Sequence, residues 1–178
     1  MIPAHLWIIQ RDGGCASLRG RILLARGRPD GDGEVSRVSK PADFEFLPHT
    51  ADVAVVARGE SLRELFEHAG LALFSLLTDV EGVRDRTSTQ VEIQSPDRES
   101  LLVDWLNELL YLFDCEGKLF CRFTVSELGE SSLKAEVRGE RIDPGRHRIK
   151  MGVKAVTYHD LEIKRSDDGW MARMVFDV

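Results

Sequence analysis

Cysteine is scarce. Only Cys15, Cys115 and Cys121 occur in 178 residues. The number is odd and there is no C-x-x-C spacing, so neither a disulfide framework nor a zinc ribbon is supported. Cys115 and Cys121 read as small core residues or as chance occurrences, and free thiols suit a reducing compartment. Long apolar runs are also missing, since none nears the roughly 18 residues of a membrane helix. The stretch "HLWII" (His5–Ile9) is too short for a signal-peptide core and is soon broken by Arg11, Asp12, Gly13 and Gly14. The chain therefore reads as cytoplasmic, or nuclear, with no membrane partner. The common enzyme signatures are absent too: there is no P-loop, no G-x-G-x-x-G and no G-x-S-x-G. The five histidines are scattered, with no H-x-x-x-H among them.

Positive charge is short where a nucleic-acid binder would need it. The formal net charge is −6. Residues 1–40 carry seven Lys/Arg against four Asp/Glu, and the remaining residues carry 17 against 26. An acidic body grips RNA or DNA poorly, because affinity there comes mainly from neutralised phosphates. Any RNA is expected to be held indirectly, through another protein.

The length suits one domain, and 43% hydrophobic residues suffice for a real core. Residues 1–40 show no hydrophobic period and are rich in Gly, Arg, Asp and Ser, as in "RGRPDGDGE" and "SRVSKP". They read as a flexible leader, in which "RILLA" (Arg21–Ala25) is at most a short strand. Residues 41–178 read as a single domain. "FEFL" and "DVAVVAR" predict two strands before Gly59. Ser61 and Glu64 then have capping-box spacing, opening a helix to about Thr78 whose face is Leu62, Leu65, Phe66, Ala69, Leu73, Leu76 and Leu77. "TQVEIQS" predicts a strand, and Ser95-Pro96 a cap for a second helix. That helix carries Leu101, Leu102, Trp105, Leu106, Leu109, Leu110 and Phe113 and ends near Gly117. Strands follow: "LFCRFTVSEL", "SLKAEVRGE", a loop at "DPGRHR", the long "GVKAVTYHDLEIKR", a hairpin turn at "SDDG", and "WMARMVFDV". The expected fold is α+β, with two amphipathic helices packed on a largely antiparallel sheet.

Three places could carry chemistry. The first is "HTAD", where His49, Thr50 and Asp52 stand before a strand. On spacing alone they read as a loop whose Thr50 or Asp52 bonds the backbone and starts the strand. The second is "FDV", where the apolar pattern of Trp170, Ala172, Met174 and Phe176 runs almost to Val178. If that strand docks, the Asp177 side chain and the Val178 carboxylate are held near each other. Asp52 brought beside them would repel them unless a cation intervened. Calcium or magnesium suits such oxygen donors, and His49 would suit manganese or zinc. The third is "VKAVTYHDLEI". Lys154 and His159 lie five positions apart, on opposite sides of a strand unless a bulge intervenes; the plain alternative is a strand with a polar face.

The segments "FEFLPHTADVAVVARGESLRELFEHAGLALFSLLTDV", "LLVDWLNELLYLFDCEGKLF", "VKAVTYHDLEI" and "WMARMVFDV" together resemble the archease family, over about residues 44–178. The resemblance implies a non-enzymatic activator of the RtcB-type RNA ligase of tRNA splicing and RNA repair, one that promotes ligase guanylylation and multiple turnover. It also implies a divalent-metal site, calcium first, at Asp52, Asp177 and Val178, with Val178 acting through a backbone or terminal oxygen. His49, Lys154 and His159 match family motifs and are additional functional candidates. Pro48 departs from the family, which commonly has an acidic residue there. Two alternatives are a chaperone-like adaptor without a functional metal site and a metal-dependent phosphoesterase.

Overall fold

The computed structural model describes residues 43–47 and 52–178. The leader reading, "RILLA", Cys15 and His49 fall outside these residues. Strands β1 (Phe44–Leu47) and β2 (Val53–Gly59) lead to helix α1 (Leu62–Leu77) and a 3-10 turn at Val80–Gly82. Then come β3 (Thr87–Gln94), α2 (Arg98–Asp114), β4 (Lys118–Leu128), β5 (Ser132–Arg141), β6 (Ala155–Ser166) and β7 (Gly169–Asp177). The fold is α+β with antiparallel pairing throughout, as expected. The strands divide between two sheets, one ordered β1-β2-β7-β6 and the other β3-β5-β4.

Helix α2 buries the whole stripe that its periodicity predicts, and α1 buries its own except Leu62 and Leu76, which are half-buried; both bury further residues. Leu65, Phe66, Ala69, Leu73 and Leu77 of α1 are fully buried, but so are Ala72 and Phe74. The extra width has a cause: α1 packs on β2 of one sheet and on β4 of the other. Phe74 makes edge contacts with Phe113 and Phe120 and a tilted contact with Phe123. From α2, Trp105 is fully buried and its indole N–H donates to the Phe66 carbonyl at 3.1 Å. One continuous apolar core therefore ties the two sheets together through the helices.

The helix ends follow local chemistry. The Glu64 N–H donates to Ser61 Oγ at 3.3 Å, while the Glu64 carboxylate accepts from the Glu60 N–H at 2.7 Å. The return arm of the box thus reaches one residue earlier than the expected one. At α2 the cap is Asp97, and Ser95 is displaced from that role. Asp97 Oδ1 accepts the Ser100 N–H at 2.7 Å. A carboxylate satisfies a free N–H and also faces the positive helix end, and this bond from Ser100 holds the Asp97 carboxyl below its ordinary range. Ser95 Oγ instead donates to Asp104 at 2.6 Å. Gly117 ends α2 with φ +63°, as expected of a left-handed cap. Of the cysteines, Cys115 is exposed, which corrects its reading as a core residue. Cys121 is half-buried, and burial, with Asp85 nearby, pushes its thiol pKa up.

The "DPGRHR" loop closes over a buried acid. Glu140 accepts the Arg84 N–H at 2.8 Å, the Arg146 guanidinium and His147 Nε2 at 3.2 Å. The Asp143 N–H donates to His147 Nδ1 at 2.9 Å, and Nε2 lies 3.2 Å from Glu140 Oε1 and 2.7 Å from the Arg146 guanidinium. Burial raises the Glu140 pKa, but the Arg84 N–H, the Arg146 charge and His147 outweigh it and bring it below its ordinary 4.5. A carboxylate depressed in the fold contributes stability above its unfolded pKa and loses it as pH falls through the folded one. Urea midpoints should therefore decline as pH drops below about 4.5, and Glu140→Gln should flatten that decline. An unchanged acid limb in the variant would show that this cluster does not set acid stability.

Candidate functional site

Strand β7 lies between β2 and β6. Its ladder with β2 ends at the pair Val53↔Phe176. Asp52 precedes Val53 and Asp177 follows Phe176, so connectivity alone places the two acids at neighbouring positions on adjacent strands. Side chains alternate along a strand. Phe176 is fully buried and Val178 packs against the core, which turns Asp177, lying between them, to the other face. Val178 has a hydrocarbon side chain, so any ligand it offers is a main-chain oxygen.

The third strand brings a cation. Ala155 pairs with Asp177, and the Lys154 N–H donates to the Asp177 carbonyl at 2.7 Å. The Lys154 ammonium donates to the Val178 carbonyl at 2.9 Å and lies 3.6 Å from Asp177 Oδ1. Four predicted residues, Asp52, Asp177, Val178 and Lys154, thus gather at one end of the four-stranded sheet. Among the described residues, no group of three or more His, Cys, Asp and Glu side chains is arranged so that it could hold a metal ion. The contacts there join the Asp177 carboxylate, a main-chain oxygen of Val178 and the Lys154 ammonium, with Asp52 at the neighbouring strand position.

His159 stands apart from this group. The pairing of β6 with β7 runs to Thr157↔Val175 and resumes at Glu162↔Arg173. Four β6 residues, Tyr158 to Leu161, therefore oppose Met174 alone. The sequence raised a bulge as a condition, and it is present. It reverses the parity of the strand: Val156 points inward before it, and Leu161 and Ile163 pack inward after it. Asp160 takes φ +51°, a conformation that Asp tolerates better than most residues. The Asp160 carboxylate lies 3.6 Å from Arg173 and 3.9 Å from His159 Nε2. His159 is exposed, and among the described residues no hydrogen bond or ion pair joins it to Asp52, Asp177 or Val178.

Asn107 is a positioning residue that sequence reasoning missed. Its side-chain amide accepts the Val156 N–H at 3.0 Å and donates to the Val156 carbonyl at 3.2 Å. It thereby fixes the start of edge strand β6, two residues from Lys154. The available signal was an amide inside the apolar run "LLVDWLNELLYLF".

A family model described as the Archease protein family matches residues 44–178. The chain belongs to the archease family. The Methanosarcina mazei protein archease is 44% identical over 144 residues, covering 79% of this chain and 99% of that protein. A Methanobacterium thermoautotrophicum protein solved in solution superposes with a TM-score of 0.64 at 39% identity, covering 76% of this chain and 98% of that one. A Thermotoga maritima crystal structure, titled an archease and possible chaperone, gives 0.55 at 26% identity, covering 80% and 98%. The span matched by the family model, residues 44–178, holds both helices and both sheets. No helix of the described residues is long and apolar enough to cross a membrane.

Proposed function

We propose that this archease is an accessory protein of an RtcB-type RNA ligase in tRNA splicing and RNA repair, acting in the cytoplasm to promote ligase guanylylation and multiple turnover. The observation that carries this reading is the convergence of Asp52, Asp177 and Val178 at one sheet end in a chain of this family. The donors there are all oxygen, two of them aspartate carboxylates, which fits a hard divalent ion, calcium before magnesium. Asp52, Asp177 and a main-chain oxygen of Val178 would hold it. Manganese or zinc becomes favourable only if His49 adds a nitrogen. Such an ion supplies positive charge that can orient phosphate oxygens of the partner's nucleotide or RNA.

The chain's own residues supply the rest. Asp177 is about half exposed, so its carboxylate is available to a partner's active site. The acidic body complements the basic surface on which a ligase holds RNA, so the two proteins attract while RNA stays with the ligase. Ligation with RNA in large excess over ligase tests this reading. Asp52→Ala should leave the unfolding midpoint unchanged and cut turnovers per ligase at least about tenfold, as removal of a charged contact used in the reaction does. Turnover equal to wild type would sink the mechanism. It would favour the second reading, a chaperone-like adaptor, which draws on the description of the Thermotoga relative as a possible chaperone.

A further inference from the structure

The Lys154 ammonium occupies the place where a divalent ion would find its oxygens. It lies 2.9 Å from the Val178 carbonyl and 3.6 Å from Asp177 Oδ1. A dication binding the same two oxygens would sit within a few ångströms of that charge, and two cations so close repel strongly. One of them has to leave. The backbone of Lys154 cannot leave, because its N–H is bonded to the Asp177 carbonyl and Asn107 grips the next peptide but one. The side chain can. It is 46% exposed against 48% for Asp177, so the pair is screened and weak, and a flexible four-carbon stem gives it a path to solvent.

We propose that Lys154 is a tethered placeholder: its ammonium holds the oxygens of Asp177 and Val178 until a divalent ion displaces it, and so sets how tightly the ion binds. This rests on the metal reading above and adds to it a built-in competitor. The alternative is a permanent clamp, in which Lys154 organises the two oxygens for the ion. The two ideas predict opposite signs. Removing a competitor tightens metal binding, whereas removing a clamp weakens it.

Calorimetric titration of the full chain with calcium chloride decides between them. Lys154→Met and Lys154→Gln, both neutral and of similar length, should bind calcium about threefold to tenfold more tightly than wild type. Asp177→Asn should lose the binding. A second readout needs no variant: brief acetylation of wild-type protein, followed by peptide mass spectrometry, should show Lys154 reacting faster once calcium is added. Lys134 and Lys164, paired elsewhere with Glu127 and Glu162, serve as unchanged references. Calcium binding by both variants but not by wild type would support the placeholder most strongly. Equal or weaker binding by both variants, or Lys154 labelling that calcium does not raise, overturns the placeholder and leaves the metal site standing. Absence of binding by wild type and both variants at millimolar calcium overturns the metal reading and the placeholder with it.

Discussion

Gly139→Ala is expected to unfold at least about 4 kcal/mol more readily than the wild type, at the far end of single-residue effects. Gly139 lies on β5, the middle strand of its sheet, and pairs with Thr87 on one side and Phe120 on the other. A Cβ there would stand 1.8 Å from the Leu119 carbonyl oxygen and 2.7 Å from the Phe120 Cα. Both are main-chain atoms, which no side-chain rotation can clear. The β4 register shifts between Phe120 and Arg122, where β4 closes in on β5. Gly139 is fixed from the other side as well, because its carbonyl accepts the Arg86 N–H at 3.0 Å and the Thr87 hydroxyl at 3.0 Å. Alanine must therefore push two strands apart. Gly82 is the control, since an added methyl there meets nothing within 4 Å. Urea denaturation of both variants measures the difference, and a loss below about 1 kcal/mol at Gly139 would contradict the close approach.

Trp105→Ala should cost about 3–5 kcal/mol, the range for truncating a large buried aromatic. The ring is fully buried, stands edge-on to Phe123 with centroids 6.5 Å apart, and joins α2 to the α1 backbone through the Phe66 carbonyl. Two effects combine: a cavity at the junction of both helices, and the loss of one hydrogen bond. Trp105→Phe separates them, because it keeps a ring but drops the N–H, and should cost less than half as much. Thermal unfolding of the pair checks this. If the phenylalanine variant is as unstable as the alanine one, the hydrogen bond rather than the volume dominates.

Much of this was legible in advance because it is local. Leu65, Phe66 and Leu73 announced α1 by period, Ser61 and Glu64 marked its start, and Gly117 marked the end of α2. Phe74 and Ala72 escaped because a second sheet covers a face that a one-sided helix would leave wet. Asp97 won the cap over Ser95, a choice made by the exact geometry of the first turn. The neighbourhood of Asp52 and Asp177 was readable only as a condition, since strand periodicity says which face a residue takes but never which strand lies alongside. Lys154 and His159 looked like one motif, yet Lys154 stays at the site while the bulge leaves His159 exposed on β6. The family resemblance supplied what the period could not, by linking the two ends of the domain before any pairing was visible.

The position of β7 also says something about time. Its partner β2 is complete at Gly59, while β7 does not begin until Gly169. During synthesis β2 must wait, one edge unpaired, while α1, α2 and the whole β3-β5-β4 sheet emerge. Such long-range pairings form late. Asp52 therefore acquires its neighbour only when the final strand docks, and a nascent chain stopped before residues 169–177 has no assembled acid pair. The two acids therefore stand side by side only once β7 has paired with β2.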